Sequence, residues 1–205
     1  RTAGLLLMVG LALLWGLDHH VLLYSVVGVE AGLAVLVVAL LFRAALSPDL
    51  RGLRTLIVVA ILTRPESALF ALALPVFPQA RKVRYWIPLV VAGVAIAAGR
   101  WFIFHDILPN TFWAKSGGTW GHFQLGMEYI LAVVVEHPVI LASPLALLHR
   151  GVRQPVVFAL IASFLWFAFF LRSGGDFYTY SRLAMPLIPL LGLLAIVGIW
   201  SAVRR

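Results

Sequence analysis

An arginine, a proline and a glutamate interrupt an apolar run that reaches from Leu56 to Phe77, in the stretch Leu62-Thr63-Arg64-Pro65-Glu66-Ser67-Ala68-Leu69-Phe70. Proline has no N–H and suits the first turn of a helix, where that donor would be orphaned anyway. It also pushes the preceding residue out of helical angles, so a helix arriving from Leu56 should stop near Leu62. Thr63 and Glu66 have the spacing of a capping box, which predicts a second helix with Thr63 at its cap. The stretch therefore reads as two half-helices meeting at a polar tip.

The surroundings make that break expensive. The chain is 62% hydrophobic over 205 residues, whereas soluble domains are nearer 45–50% apolar. This is the composition of a polytopic membrane protein. A charge at the bilayer centre costs at least ~2.5–3.5 kcal/mol on insertion scales, so Arg64 and Glu66 must face something polar. Broken helices at membrane depth are tolerated only against protein or a water-filled cavity. The chain has no cysteine, which removes disulfides and thiol chemistry.

Seven apolar segments follow from the hydropathy pattern: Thr2–Leu17, Val21–Phe42, Thr55–Phe77 with the break, Tyr85–Phe104, Tyr129–Leu148, Pro155–Leu171 and Leu183–Trp200. If the broken segment crossed the membrane, the bases at 43–54 and 81–84 would fall on opposite sides. If it enters and returns, one side holds Arg1, Arg43, Arg51, Arg54, Arg81, Lys82, Arg84, Arg150, Arg153, Arg204 and Arg205, which is eleven of the sixteen bases. Each arm has ~10 residues, or about 15 Å, half a bilayer. The expectation is an all-α polytopic transmembrane bundle in a single domain over 1–205. It has about six spanning helices plus a re-entrant broken helix at 55–77, its tip facing the outer side. The net charge of +8 follows this clustering, and no basic stripe points to nucleic acid.

Polar chemistry then collects at a few places. Arg64 offers a planar fork to phosphate oxygens beside a helix N-terminus, and Glu66 pairs with it or meets sugar hydroxyls. Glu30 lies within the membrane and supports the pocket. The loop Leu108-Pro109-Asn110-Thr111-Phe112-Trp113-Ala114-Lys115 is an interface belt or a lid, with Asn110 and Lys115 as substrate contacts. Trp120, His122 and Phe123 extend the same surface within a long loop from His105 to Glu128. Gly174-Gly175-Asp176 allows a tight turn or close ligand approach. Arg172 and Arg182 flank it on the side where bases are disfavoured, which favours an anionic ligand or acidic partner. Asp18, His19, His20 and Glu30 match no zinc spacing, so no metal site is expected there. There is no Walker motif, no GxSxG and no dinucleotide fingerprint.

Four stretches, in this order, resemble the GT-C glycosyltransferases that use polyprenyl-phosphate sugars, with the arabinofuranosyltransferases of the bacterial cell wall as the nearest look. They are Ser25-Val26-Val27-Gly28-Val29-Glu30, Leu62-Thr63-Arg64-Pro65-Glu66, Leu108 to Lys115, and Gly174-Gly175-Asp176 followed by Arg182 and Pro186. The resemblance implies a multi-pass enzyme of the plasma (inner) membrane with its active site facing the periplasm or exterior. It implies transfer of a sugar, with inversion, from a polyprenyl-phosphate donor to a glycan, lipid or protein acceptor. A carboxylate would act as general base and cations would stabilise the leaving phosphate. No cofactor beyond the donor substrate is implied, and a divalent metal is left open. In this family the catalytic Asp lies in the first outer loop, and nothing here matches that loop. The chain is therefore expected to be N-terminally truncated, to hold the donor pocket without the base, and to be inactive alone. A transporter or flippase of a lipid-linked substrate is the main alternative, since broken helices are also a transporter device. A non-catalytic membrane scaffold is the other.

Overall fold

At Pro65, Pro75, Pro78 and Pro138 tighter 3₁₀ turns begin, whereas Pro88 lies inside an α-helix. The computed structural model describes residues 29–47, 49–50, 52–107, 119–175 and 183–204. Its α-helices are α1 (Val29–Ala45), α2 (Leu53–Thr63), α3 (Leu69–Ala73), α4 (Val83–Phe104), α5 (Trp120–Glu136), α6 (Arg153–Ser173) and α7 (Ile188–Val203). Between them lie 3₁₀ segments at Pro65–Ala68, Leu74–Val76, Pro78–Arg81, Pro138–Leu148 and Arg150–Val152. Four of these five carry a proline at their first or second position. Before Pro65 and Pro78 the backbone is extended, as proline sterics demand: Arg64 has φ −147 and ψ 114, Phe77 φ −88 and ψ 124.

The all-helical class is as expected, but six spans are not found. Two stretches among the described residues are long and apolar enough to cross a membrane, α4 with 22 residues and Arg150–Ser173 with 24. At 1.5 Å per residue α4 is about 33 Å long, against a hydrocarbon core of about 30 Å. A third is reached only by counting α5 and Pro138–Leu148 as one span bent by 78°. The segment from Tyr129 to Leu148 is thus two pieces, broken where Pro138 follows His137. The segment from Leu183 is shortened because Leu183–Leu187 is a run of turns before α7, which has 16 residues. The long loop to Glu128 also needs correction: α5 starts at Trp120, where the Thr119 side chain caps the first turn. The segment Thr2–Leu17 lies outside the described residues.

The core is built on α6. Phe158, Trp166 and Phe170 on this helix are buried, as are Phe70 and Phe77 from the broken stretch. Phe70 sets its ring edge-on to Trp166 at 5.5 Å and lies 6.1 Å from Phe158, while Phe77 lies 5.3 Å from Phe158. Each such aromatic pair contributes about 0.5–1.5 kcal/mol beyond area burial. The second arm of the break therefore leans on α6, whereas α2 packs against α1.

Two glycines allow helices to meet backbone to backbone. A Cβ on Gly126 of α5 would stand 2.7 Å from Leu171 Cα and closer still to the Phe170 carbonyl. A Cβ on Gly198 of α7 would stand 2.6 Å from Leu145 Cβ. In lipid, where apolar side chains gain little from leaving their surroundings, such close approach is the main source of helix association.

One contact shows how the broken stretch is threaded. Arg54, in the first turn of α2, places its guanidinium 4.9 Å from the ring centroid of Tyr85, in the first turn of α4. The chain that leaves at Arg54 has come back by Tyr85. The start of α4 is tied down locally: Trp86 Nε1 donates to the Ala80 carbonyl at 2.7 Å, and Arg81 Nε to the Pro75 carbonyl at 2.9 Å. Beyond Leu89, α4 is bare. It has no buried residue, and Val94 and Phe102 are exposed.

Candidate functional site

The break at Arg64 is real, and its local chemistry differs from a capping box. Thr63 is the last residue of α2, and its hydroxyl donates back to the Ala60 carbonyl at 2.7 Å. Arg64, not Thr63, occupies the cap of the next turn, and no side chain caps it. The reason is steric. Pro65 forces only its immediate neighbour out of the helix, so Thr63 stays helical and its hydroxyl finds the carbonyl three residues back. Glu66 does sit in the first turn of the new segment, where a carboxylate is favoured.

Arg64 is 2% exposed and Glu66 15%, with Arg64 Nη1 3.5 Å from Glu66 Oε1. Ser67, next in the same turn, is also buried. The expected opposite charges therefore lie together inside the protein, at the junction of two apolar helical pieces.

A second polar place lies between the N-terminus of α5 and the C-terminus of α6. Here Thr119, Phe123, Ala168, Leu171 and Arg172 line a cavity of about 230 Å³. Thr119 Oγ1 lies 2.7 Å from His122 Nδ1 and accepts the His122 backbone N–H at 3.4 Å. Trp120 and Phe123 stack with centroids 5.2 Å apart. The Thr119-capped N-terminus of a 17-residue helix and Arg172 both border this cavity, an arrangement suited to an anion beside an apolar group.

The glycines after α6 serve the protein's own packing. Gly174 and Gly175 have φ of 75 and 73, a region that favours glycine. A Cβ on Gly175 would stand 2.6 Å from Tyr129 Cβ. Tyr129 in turn accepts the Ala184 backbone N–H at 3.1 Å and sets its ring edge-on to Phe170. One tyrosine of α5 thus joins the end of α6 to the approach of α7.

Of the residues singled out in the sequence, Arg64 and Glu66 are brought together, and Arg172 lines the cavity with Thr119 and Phe123. Neither Arg64 nor Glu66 lines it. Glu30 is in the first turn of α1, and nothing further is described for its side chain. Asn110, Lys115, Asp176 and Arg182 lie outside the described residues, as do Asp18, His19 and His20. Among the described residues no group of three His, Asp or Glu could hold a metal ion.

One polar residue was missed. His137 is 8% exposed and stands at the 78° bend, just before Pro138. The signal was present in Glu136-His137-Pro138, the same pattern of a polar residue ahead of proline as Arg64-Pro65. No known protein family, curated protein or solved structure matches the chain.

Proposed function

We propose that this chain is a membrane-embedded glycosyltransferase of GT-C type, which binds a polyprenyl-phosphate sugar and transfers the sugar to a glycan, lipid or protein hydroxyl at the outer face. The observation that carries this reading is the cavity where Arg172 meets the N-terminus of α5 beside stacked Trp120 and Phe123. Arg172 suits a phosphate, Phe123 with Trp120 stacked on it suits a sugar or prenyl chain, and the cavity flanks α6, one of the two helices with the length and apolarity of a span.

In this reading Arg172 holds the donor phosphate and stabilises the charge that grows on it as the glycosidic bond breaks. Lys115 and Arg182 add to the same charge, and Asn110 and Asp176 contact sugar hydroxyls. Arg64, Glu66 and Glu30 are proposed as further substrate contacts. No residue of this chain is assigned as the general base. Binding of a polyprenyl phosphate to the full chain in nanodiscs tests the reading without requiring turnover. Binding should exceed that of the uncharged polyprenol at least tenfold and fall about tenfold in Arg172→Gln, with Arg172→Lys between. Equal binding of phosphate and alcohol would overturn it.

A second reading has one observation in its favour. The bend at His137 gives the chain a second broken helix, and paired broken helices are a device of transporters and flippases. Movement of a fluorescent lipid-linked phosphate across proteoliposomes, lost in Arg172→Gln, would favour it over transfer.

A further inference from the structure

We infer that the rim where α2 and α4 begin is a docking surface for anionic phospholipid headgroups, an inference that rests on the membrane reading above. The bases there come from two places in the sequence and are united only by the fold. Arg54 stands over Tyr85, and Arg81, Lys82 and Arg84 lead directly into α4. All four are exposed, and none of Arg54, Lys82 and Arg84 is ion-paired among the described residues.

The surface is held in shape rather than loosely charged. The Arg54 guanidinium stands over the ring of Tyr85, a contact through the π face that uses none of its N–H donors on an oxygen. Arg81 is pinned by its bond to the Pro75 carbonyl, and Trp86 by its bond to the Ala80 carbonyl. Charge complementarity names the occupant as negative, and the next residues name it as lipid. Val83 is 78% exposed and Ile87 55%, and they open a bare apolar helix of 22 residues. A cationic rim immediately beside an apolar wall fits a molecule that is anionic at one end and hydrocarbon at the other. A soluble phosphate would use the rim and leave the wall unexplained.

The test uses the full chain in vesicles and brominated lipids as quenchers, with the Trp86 signal taken as the difference between the wild type and Trp86→Phe. Brominated phosphatidylglycerol should quench Trp86 at several-fold lower mole fraction than brominated phosphatidylcholine. At ~1 kcal/mol per base as an upper bound, each charge removed should lower that preference by at most about fivefold. Combining Arg54→Gln, Lys82→Gln and Arg84→Gln should bring it to one, whereas Arg84→Lys should keep it. Glycerol phosphate in solution should leave it unchanged. Equal quenching by the two lipids, a triple variant that keeps the preference, or displacement by glycerol phosphate would overturn the inference while leaving the membrane reading intact. Quenching by neither lipid would overturn the membrane reading itself.

Discussion

Arg54 and Tyr85, thirty-one positions apart in the sequence, meet with the guanidinium 4.9 Å from the ring centroid. The contact fixes where the broken stretch begins and ends. Two short arms joined at Arg64 must make an excursion and return, because their outer ends touch. That geometry accommodates a buried Arg–Glu pair at the turning point, which a single straight helix in lipid would leave facing acyl chains.

The return predicts a labelling pattern. The chain has no native cysteine, so single cysteines report cleanly. Cysteines at positions 54, 82 and 153 should react with an impermeant thiol reagent from one side of sealed vesicles. A cysteine at 119 or 172 should react from the other. Reactivity of 54 and 82 from opposite sides would refute the excursion.

The Arg64–Glu66 pair should be sensitive to losing one partner. A buried charge left without its counter-ion costs on the order of 3 kcal/mol, while replacing both can be close to neutral. Glu66→Gln should therefore lower unfolding stability markedly, and the double variant with Arg64→Met should recover much of the loss. Chemical denaturation in detergent gives the values. Additive losses would show that the two side chains do not act as a pair.

Glycines divide by environment. Gly126→Ala places a Cβ against the backbone of Phe170 and Leu171, and should cost about 1–3 kcal/mol through displacement of α5 from α6. Gly93 has nothing within 4 Å of where its Cβ would be. Gly93→Ala should be neutral or up to ~1 kcal/mol stabilising, since alanine favours a helix interior. Thermal unfolding of the two variants side by side checks the contrast.

Tyr129 joins three elements through one hydroxyl and one ring. Tyr129→Phe keeps the ring edge on Phe170 but leaves the Ala184 N–H without its acceptor. The cost should be about 1–2 kcal/mol. Faster hydrogen exchange at the Ala184 amide, with exchange at the Gly126 end of α5 unchanged, would locate the loss.

Ser163 is the reverse case. Its hydroxyl is buried and has no hydrogen-bond partner among the described residues, unlike Ser201, whose hydroxyl donates to the Val197 carbonyl at 2.7 Å. Ser163→Ala removes an unsatisfied group and should be neutral or stabilising by about 1 kcal/mol. A loss of stability in the same melting assay would mean that the hydroxyl is satisfied after all.

Local chemistry was legible from the sequence alone. Proline at 65 with charges on both sides marked the break to within one residue, and the basic clusters around the apolar run led to the expectation that it enters and returns on one side. Both rest on forces between near neighbours: a ring clashing with the preceding residue, and the cost of charge in hydrocarbon. The same logic applied to His137-Pro138 would have found the second bend, where an apolar run continuing past the proline masked it. What the chain order could not give is which surfaces touch. Arg54 reaching Tyr85, Gly175 filling against Tyr129, and Thr119 closing a cavity with Arg172 depend on side-chain volumes and backbone approach across helices far apart in sequence. Such contacts are selected by how whole faces fit together, and only the assembled tertiary structure decides that.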